Sequence, residues 1–164
     1  MDAKFLKPYN PKETEERIYK KWEESGFFNP DKLPDRHREP FTIIMPPPNA
    51  NGSLHTGHAV FVTIEDLIIR YKRMRGFKTL WLPGADHAGF ETQVVYEKKL
   101  EKEGQSRFGM EPEQLYREIM DFTIHNKKFM ENQPRQLGSS CDWSREKFTL
   151  DSDIIRIVYN TFKK

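Results

Sequence analysis

Two histidines separated by Thr56 and Gly57 stand where an apolar run begins. The stretch IMPPPNANGSLHTGHAV, residues 44–60, joins a triple proline to His55 and His58. Residues three apart share a helix face, so both imidazoles can face one ligand, and Gly57 lets a flat ring or a phosphate approach the backbone. The unpaired N–H groups at a helix start bind anions. The pattern therefore predicts a phosphate site in which the histidines donate to charge developing in a transition state.

Two other interpretations of these histidines remain open. The pattern His-x-Gly-His fixes only three positions, and taken alone it fits a loop with ordinary surface histidines equally well. A zinc site would draw on His55, His58 and the Asp86-His87 pair, although zinc requires neither the glycine nor the triple proline. The position of the motif between a strand and a helix favours the phosphate site.

Asp86 lies two residues beyond Gly84, where a second predicted strand ends, and we expect its carboxylate in the same crevice. There it can hold a ligand ammonium group by a charge-assisted hydrogen bond, or it can cap the following helix. His87 is either a supporting partner of the site or a loop residue. The basic stretch Arg70–Arg75 is open to RNA phosphates, but such charge more often complements a helix C-terminus.

Composition limits the class of protein. The chain has 164 residues, of which 36% are hydrophobic and 13% aromatic, and this suits one domain with its own core. Its 27 basic and 25 acidic side chains leave a formal charge of +2, so no strong overall field attracts nucleic acid or membrane. Cys141 is alone and cannot form an internal disulfide, and no apolar run reaches membrane-spanning length. We expect a soluble cytoplasmic protein.

Hydrophobic periodicity predicts the elements that position these residues. Phe41–Met45 is typical of a buried parallel strand, and Pro46–Pro48 end it. Apolar residues recur at helical spacing from about 58 to 75, and KTLWLPG, residues 78–84, predicts a second strand. Together they make a βαβ unit with a right-handed crossover and a ligand site at the carboxyl ends of its strands. We therefore predict an α/β fold in which PPPNANGSLHTGH and PGADHAG lie side by side.

The flanking segments are predicted to be mainly helical. Asn10-Pro11 indicates a helix start and Gly26 its end, so residues 1–40 are predicted to be an amino-terminal helix and a linker. Residues 41–164 are then the main domain. Its later helices are expected over 90–100, over 113–133 with Pro134 kinking or ending it, and after an N-cap at Asp151 or Ser152.

Three stretches carry a resemblance to a known family. MPPPNANGSLHTGHA, RYKRMRGFKTLWLPGADHAGFETQVV and LGSSCDWSREKFTLD together resemble the opening part of the class I aminoacyl-tRNA synthetases, most closely the valyl-tRNA synthetase branch. His55-Thr-Gly-His58 resembles the HIGH signature of this family. The triple proline followed by Asn49, and Gly84-x-Asp86-His87-Ala-Gly89, are typical of the valyl branch. Ala85 stands where threonine is usual, and GFETQ replaces a more aliphatic stretch.

The resemblance implies a fold and a reaction. The fold is the first half of a Rossmann-type nucleotide-binding domain, and the reaction is ATP-dependent activation of valine followed by its ligation to tRNA(Val). Mg²⁺ would accompany ATP, and no protein-bound metal and no membrane partner is implied. His55 and His58 would stabilise the α-phosphate, while Gly57 would let adenosine lie against the backbone.

The resemblance also implies where valine would bind. Asp86 would hold its ammonium group, and Pro47 and Asn49 would form part of the wall against its side chain. Asp142–Arg145 matches the DWSR segment of the family, for which only a supporting position near the site is implied.

Parts of the family pattern do not occur in this sequence. No second Rossmann half with a KMSKS-type loop is present, and the editing insertion and the anticodon-binding helices would follow residue 164. We therefore expect an amino-terminal fragment that is weak or inactive alone. Three alternatives stay open: a stand-alone nucleotide-binding module, another nucleotidyltransferase with the His-x-Gly-His pattern, and an isoleucyl-type synthetase.

Overall fold

The computed structural model describes residues 8–164, so the first seven residues of the predicted segment 1–40 lie outside the described part. Helices and short strands alternate along the chain. The helices are α1 (Pro11–Glu24), α2 (Thr56–Met74), α3 (Gly89–Lys102), α4 (Pro112–Gln136) and α5 (Ser152–Phe162). The strands are β1 (Pro40–Ile44), β2 (Lys78–Leu82), β3 (Gly84–Ala85) and β4 (Lys147–Phe148), and single 3₁₀ turns cover Pro30–Lys32, Arg107–Gly109 and Trp143–Arg145.

The predicted βαβ unit is present. β1 and β2 pair in parallel, with Pro40 opposite Lys78 and Ile44 opposite Leu82, and α2 connects the two strands. Trp81 of β2 is fully buried in a cluster of side chains from both strands and the helix. The other buried members of that cluster are Met45, Val62, Ile69 and Cys141. This confirms an α/β fold of the Rossmann type, incomplete as predicted.

Backbone pairing resumes beyond the prolines that end β1. Asp86 N–H donates to the Pro48 carbonyl at 2.9 Å, and Ala50 N–H donates to the Asp86 carbonyl at 2.7 Å. Proline lacks only the donor, so its carbonyl can still accept. A Cβ on Gly84 would lie 3.2 Å from the Lys147 carbonyl oxygen and 3.5 Å from Pro47 Cβ. Glycine at this position therefore lets both β4 and Pro47 approach β3 closely.

α2 exposes the apolar stripe from which the helix was predicted. Six side chains of this stripe are 36–77% exposed: Val60, Ile64, Leu67, Ile68, Tyr71 and Met74. The face that packs on the strands carries Val62 and Ile69 instead, both almost fully buried. The helix therefore has two apolar faces, and within residues 8–164 only one of them is covered.

α4 continues past Pro134 to Gln136. Of the two predicted outcomes, a helix that ends at this proline is therefore wrong. Pro134 is buried and lines a small cavity with Met130 and Trp143. Its carbonyl accepts a hydrogen bond from Ser139 N–H at 3.0 Å. Because Pro134 has no N–H, the last turns of α4 lose one hydrogen bond. Burial of the Pro134 ring offsets that loss.

The basic stretch at the end of α2 is partly internal. Arg70 Nε donates to Asp66 at 2.6 Å, and Arg73 donates to the Thr79 hydroxyl at 3.1 Å and to the Ser140 hydroxyl at 3.0 Å. Burial lowers the pKa of Arg73 to about 10. These two arginines therefore hold the fold together and are not free for RNA phosphates. No helix within residues 8–164 has the length and apolar character needed to cross a membrane.

Candidate functional site

His55 and His58 cap the start of α2. The helix begins at Thr56, two residues earlier than predicted, so His55 is its N-cap. Gly57 N–H donates to His55 Nδ1 at 3.0 Å, and His55 N–H donates to His58 Nδ1 at 3.3 Å. The two ring centroids are 4.0 Å apart. The pair thus forms a reciprocal capping box, which sequence reasoning missed because histidine is not among the preferred capping residues.

The cap fixes which ring nitrogen of each histidine carries the proton. Since both Nδ1 atoms accept backbone hydrogen bonds, the neutral rings of His55 and His58 must be protonated at Nε2. Burial lowers the pKa of His58, and the neighbouring His55 lowers it further. The His58 ring therefore stays neutral near pH 7. Two Nε2–H donors therefore stand at the positive end of the α2 dipole, an arrangement suited to an anion.

Gly57 is required by the cap itself. A Cβ at this position would lie 2.9 Å from His55 Cε1 and 3.0 Å from His55 Nδ1, closer than ordinary packing allows. The glycine between the histidines thus has a structural reason that holds whether or not a ligand approaches. Its predicted contact with an adenosine stays a prediction.

The two carboxylate oxygens of Asp86 have different surroundings. Its Oδ1 accepts from Ala88 N–H and from the Thr149 hydroxyl, both at 3.1 Å. No hydrogen bond from a described residue reaches Oδ2, and the side chain is 38% exposed. Ala88, not Asp86, is the N-cap of α3, and its left-handed backbone (φ 44°) follows the Asp86 turn. The carboxylate therefore shapes this turn and still offers one oxygen to a ligand.

Pro47 and Asn49 lie beside Asp86. Asn49 and Asp86 form an isolated parallel bridge, and the side chains of Pro47 and Asn49 are exposed. The histidine loop joins the same region through Leu54, whose N–H donates to Gln133 Oε1 at 2.8 Å. Leu54 packs on a buried cluster of Ala50, Ala85, Met130 and Phe148. Both predicted loops therefore meet at the carboxyl ends of β1 and β2, as the βαβ unit requires.

The zinc interpretation lacks its set of ligands. Within the part of the chain that the structure describes, no group of three or more histidine, cysteine, aspartate or glutamate side chains is placed to hold a metal ion. His55 and His58 also use their Nδ1 atoms for the helix cap. The geometry favours an anion site over a metal site.

The DWSR segment supports the strand next to the site. Asp142 is buried, its N–H donates to the Trp81 carbonyl at 2.9 Å, and its Oδ1 accepts from the Ser144 hydroxyl at 2.6 Å. Trp143 Nε1 donates to the Tyr19 hydroxyl at 2.8 Å. The segment thus ties β2 to α1 and leaves the ligand groups to the two loops.

A cluster of two carboxylates and one ammonium lies beneath the proline segment. Lys127 pairs with both Glu131 and Glu146, and each of the three side chains is less than one-fifth exposed. Burial, with a further contribution from Glu146, raises the pKa of Glu131 to about 7. Glu146 shifts in the opposite direction, because its hydrogen bonds with Glu131 and Lys127 outweigh its own burial. One lysine does not compensate two buried carboxylates, so Glu131 is the one that holds a proton.

We expect Glu131→Gln to remove a pH dependence of stability. Because the folded pKa of Glu131 lies above its unfolded value, its contribution to stability is full below about pH 4.5 and is lost as the pH rises through about 7. The amide cannot lose a proton, so the variant gains up to about 3 kcal/mol at pH 8. Urea unfolding at pH 5 and pH 8 measures this, with the exposed Glu113→Gln as control. Equal pH slopes for Glu131→Gln and the unmodified chain would contradict it.

Thr149 belongs to the site and was missed from the sequence. Its hydroxyl contacts both Asp86 and His87, which precede it by 63 and 62 positions. No local pattern in the run FTLD signals a contact across that distance. Only the parallel pairing of β3 with β4 brings these residues together.

Comparisons with known proteins give a consistent result. A family profile described as "tRNA synthetases class I (I, L, M and V)" matches residues 17–164. The chain is 49% identical over 151 residues to the valine–tRNA ligase, chloroplastic/mitochondrial 2, of Arabidopsis thaliana, covering 92% of this chain and 15% of that protein. It is 45% identical over 160 residues to the valine–tRNA ligase of Clostridium acetobutylicum, covering 98% of this chain and 18% of that protein. The chain thus spans less than one-fifth of the length of these relatives.

A solved structure shows the same fold. LeuRS of Agrobacterium radiobacter K84, crystallised as a ternary complex with tRNA and LeuAMS, aligns with a TM-score of 0.72 at 21% identity. The alignment covers 95% of this chain and 18% of that one. At this identity the likeness concerns the fold alone.

Proposed function

Since this chain belongs to the class I tRNA synthetases of the isoleucine, leucine, methionine and valine group, we propose that it forms the part of a valine–tRNA ligase that binds ATP and valine. In the proposed reaction the valine carboxylate attacks the α-phosphate of ATP, and pyrophosphate leaves. A hydroxyl at the 3′ end of tRNA(Val) then attacks the carbonyl carbon of the adenylate, the valyl ester forms and AMP leaves. Mg²⁺ arrives with ATP as counter-charge to its phosphates, and the reaction takes place in the cytoplasm.

The paired histidine cap is the observation that carries this proposal. His55 and His58 present Nε2–H donors at a helix N-terminus, where a phosphate group gains both hydrogen bonds and the favourable end of the dipole. Such donors are held in place before the substrate binds, so they stabilise charge on the α-phosphate without reorganising. The base of the nucleotide passes over Gly57.

The amino-acid side of the site uses the neighbouring loop. Asp86 Oδ2 receives the valine ammonium group, and the exposed side chains of Pro47 and Asn49 border the valine side chain. The proline ring offers an apolar surface and the asparagine side chain is short, which suits a small branched side chain. The acceptor for the cation and the donors for the phosphate thus stand on two adjacent loops, as an attack of a carboxylate on a phosphate requires.

A chimaera tests the proposal. The corresponding segment of the Clostridium acetobutylicum ligase is replaced by this chain, and valine-dependent ATP–pyrophosphate exchange is measured. We expect exchange with valine that exceeds exchange with isoleucine or leucine, and exchange near background for the 164-residue chain alone. A folded chimaera that shows no valine-dependent exchange would refute the assignment, and a preference for isoleucine would favour an isoleucyl-type enzyme.

A further inference from the structure

Thr149 directly follows β4 and lies beside the turn that carries Asp86 and His87. Its N–H donates to the Ala85 carbonyl at 3.1 Å, which fixes its backbone next to β3. Its Oγ1 accepts from His87 N–H at 2.8 Å and lies 2.6 Å from His87 Nδ1. The same oxygen lies 3.1 Å from Asp86 Oδ1. One hydroxyl therefore contacts both polar side chains of this turn.

The single hydroxyl proton decides how these contacts are made. An ionised carboxylate only accepts, so the contact with Asp86 Oδ1 is a hydrogen bond only if Thr149 donates it. That proton is then not available to His87 Nδ1, and this nitrogen must itself donate to Oγ1. The neutral ring of His87 therefore carries its proton on Nδ1, the opposite tautomer to that of His55 and His58.

We propose that Thr149 is a positioning residue for the amino-acid side of the site, an inference that rests on the proposed function of Asp86. The hydroxyl fixes Asp86 through Oδ1, so that Oδ2 stays available to an ammonium group. It also engages the Nδ1–H of His87, which lies only 3.5 Å from Asp86 Oδ1. Without the hydroxyl, His87 donates to Asp86 directly and competes with the ammonium for that carboxylate.

Histidine ring nitrogens in the 164-residue chain give the first test. Imidazole ¹⁵N NMR at pH 8, above the usual titration range of histidine, distinguishes the Nδ1–H form from the Nε2–H form. We expect Nδ1–H for His87, and Nε2–H for His55 and His58. An Nε2–H ring at His87 overturns the proposal, and this outcome requires no variant to fold.

The chimaera gives the second test. Thr149→Val removes the hydroxyl and keeps the shape, and we expect it to raise KM for valine roughly 10-fold while KM for ATP and kcat change less than about 2-fold. Thr149→Ser restores the hydroxyl and should restore KM for valine. Thr123→Val is the matched control, since that buried hydroxyl donates to the Ile119 carbonyl of its own helix.

The outcomes separate this inference from the proposed function. Equal KM values for valine in Thr149→Val and Thr123→Val overturn the positioning role. If Thr149→Val does not fold, KM for valine is measured in Thr149→Ser. A roughly 10-fold rise in that KM, despite the retained hydroxyl, also overturns the positioning role. A chimaera that has no valine-dependent exchange with Thr149 intact refutes the proposed function and with it the amino-acid role, whereas the NMR result still reports whether the hydroxyl orders His87.

Discussion

Replacing Asp86 by asparagine is expected to lower valine-dependent ATP–pyrophosphate exchange of the chimaera by roughly 10²- to 10³-fold in kcat/KM. Asparagine can still accept from Ala88 N–H and from the Thr149 hydroxyl through its side-chain oxygen, so the turn before α3 is retained. The negative charge that pairs with the valine ammonium is lost. The effect should therefore appear in KM for valine and leave KM for ATP nearly unchanged.

Titrating valine and ATP separately in the exchange assay measures this split. Asp121→Asn is the matched control, since Asp121 is an exposed aspartate of α4, and it should behave as the parent chimaera. A variant of Asp86 with an unchanged KM for valine would place the ammonium elsewhere. An equal rise in KM for ATP would instead indicate a general disturbance of the crevice.

Replacing His58 by alanine is expected to lower kcat for exchange by roughly 10²- to 10³-fold, the usual effect of removing one donor from a preorganised anion site. His58 supplies an Nε2–H donor and also accepts the His55 N–H within the cap. Loss of the cap should cost only about 1 kcal/mol of stability. The fall in kcat should therefore far exceed what the change in stability explains.

Two variants sharpen this test. His58→Asn keeps an acceptor for the His55 N–H and an N–H donor. It should therefore recover about a tenth or more of the stability and of the kcat that His58→Ala loses. His125→Ala removes an exposed histidine of α4 and should leave kcat unchanged. Equal kcat values for His58→Ala and His125→Ala would show that the histidine pair serves the helix alone.

The sequence was sufficient to predict the unit that carries the site. A short apolar run, a helical period and a second apolar run allow few arrangements, and parallel strands joined by a helix bring their carboxyl ends together. Asn49 and Asp86 therefore meet as predicted, although 37 positions separate them along the chain.

Other features depend on contacts that no local pattern encodes. Hydrophobic periodicity identified α2 but not its packed face, because both of its faces are apolar. The basic stretch was expected to complement the C-terminus of α2 or to contact RNA phosphates, and the sequence did not reveal that Asp66, Thr79 and Ser140 bind Arg70 and Arg73 inside the fold. Thr149 was missed for the same reason, since its partners lie more than 60 positions away.

The uncovered face of α2 also has a thermodynamic consequence. Its apolar side chains are already in contact with water in the folded chain, so unfolding hydrates less new apolar surface than is usual for this length. The heat capacity change of unfolding should then fall below the ordinary value of roughly 12–15 cal/mol/K per residue. The denaturant m-value should be small as well. The stability of the chain therefore varies only weakly with temperature, and covering this face would steepen that dependence.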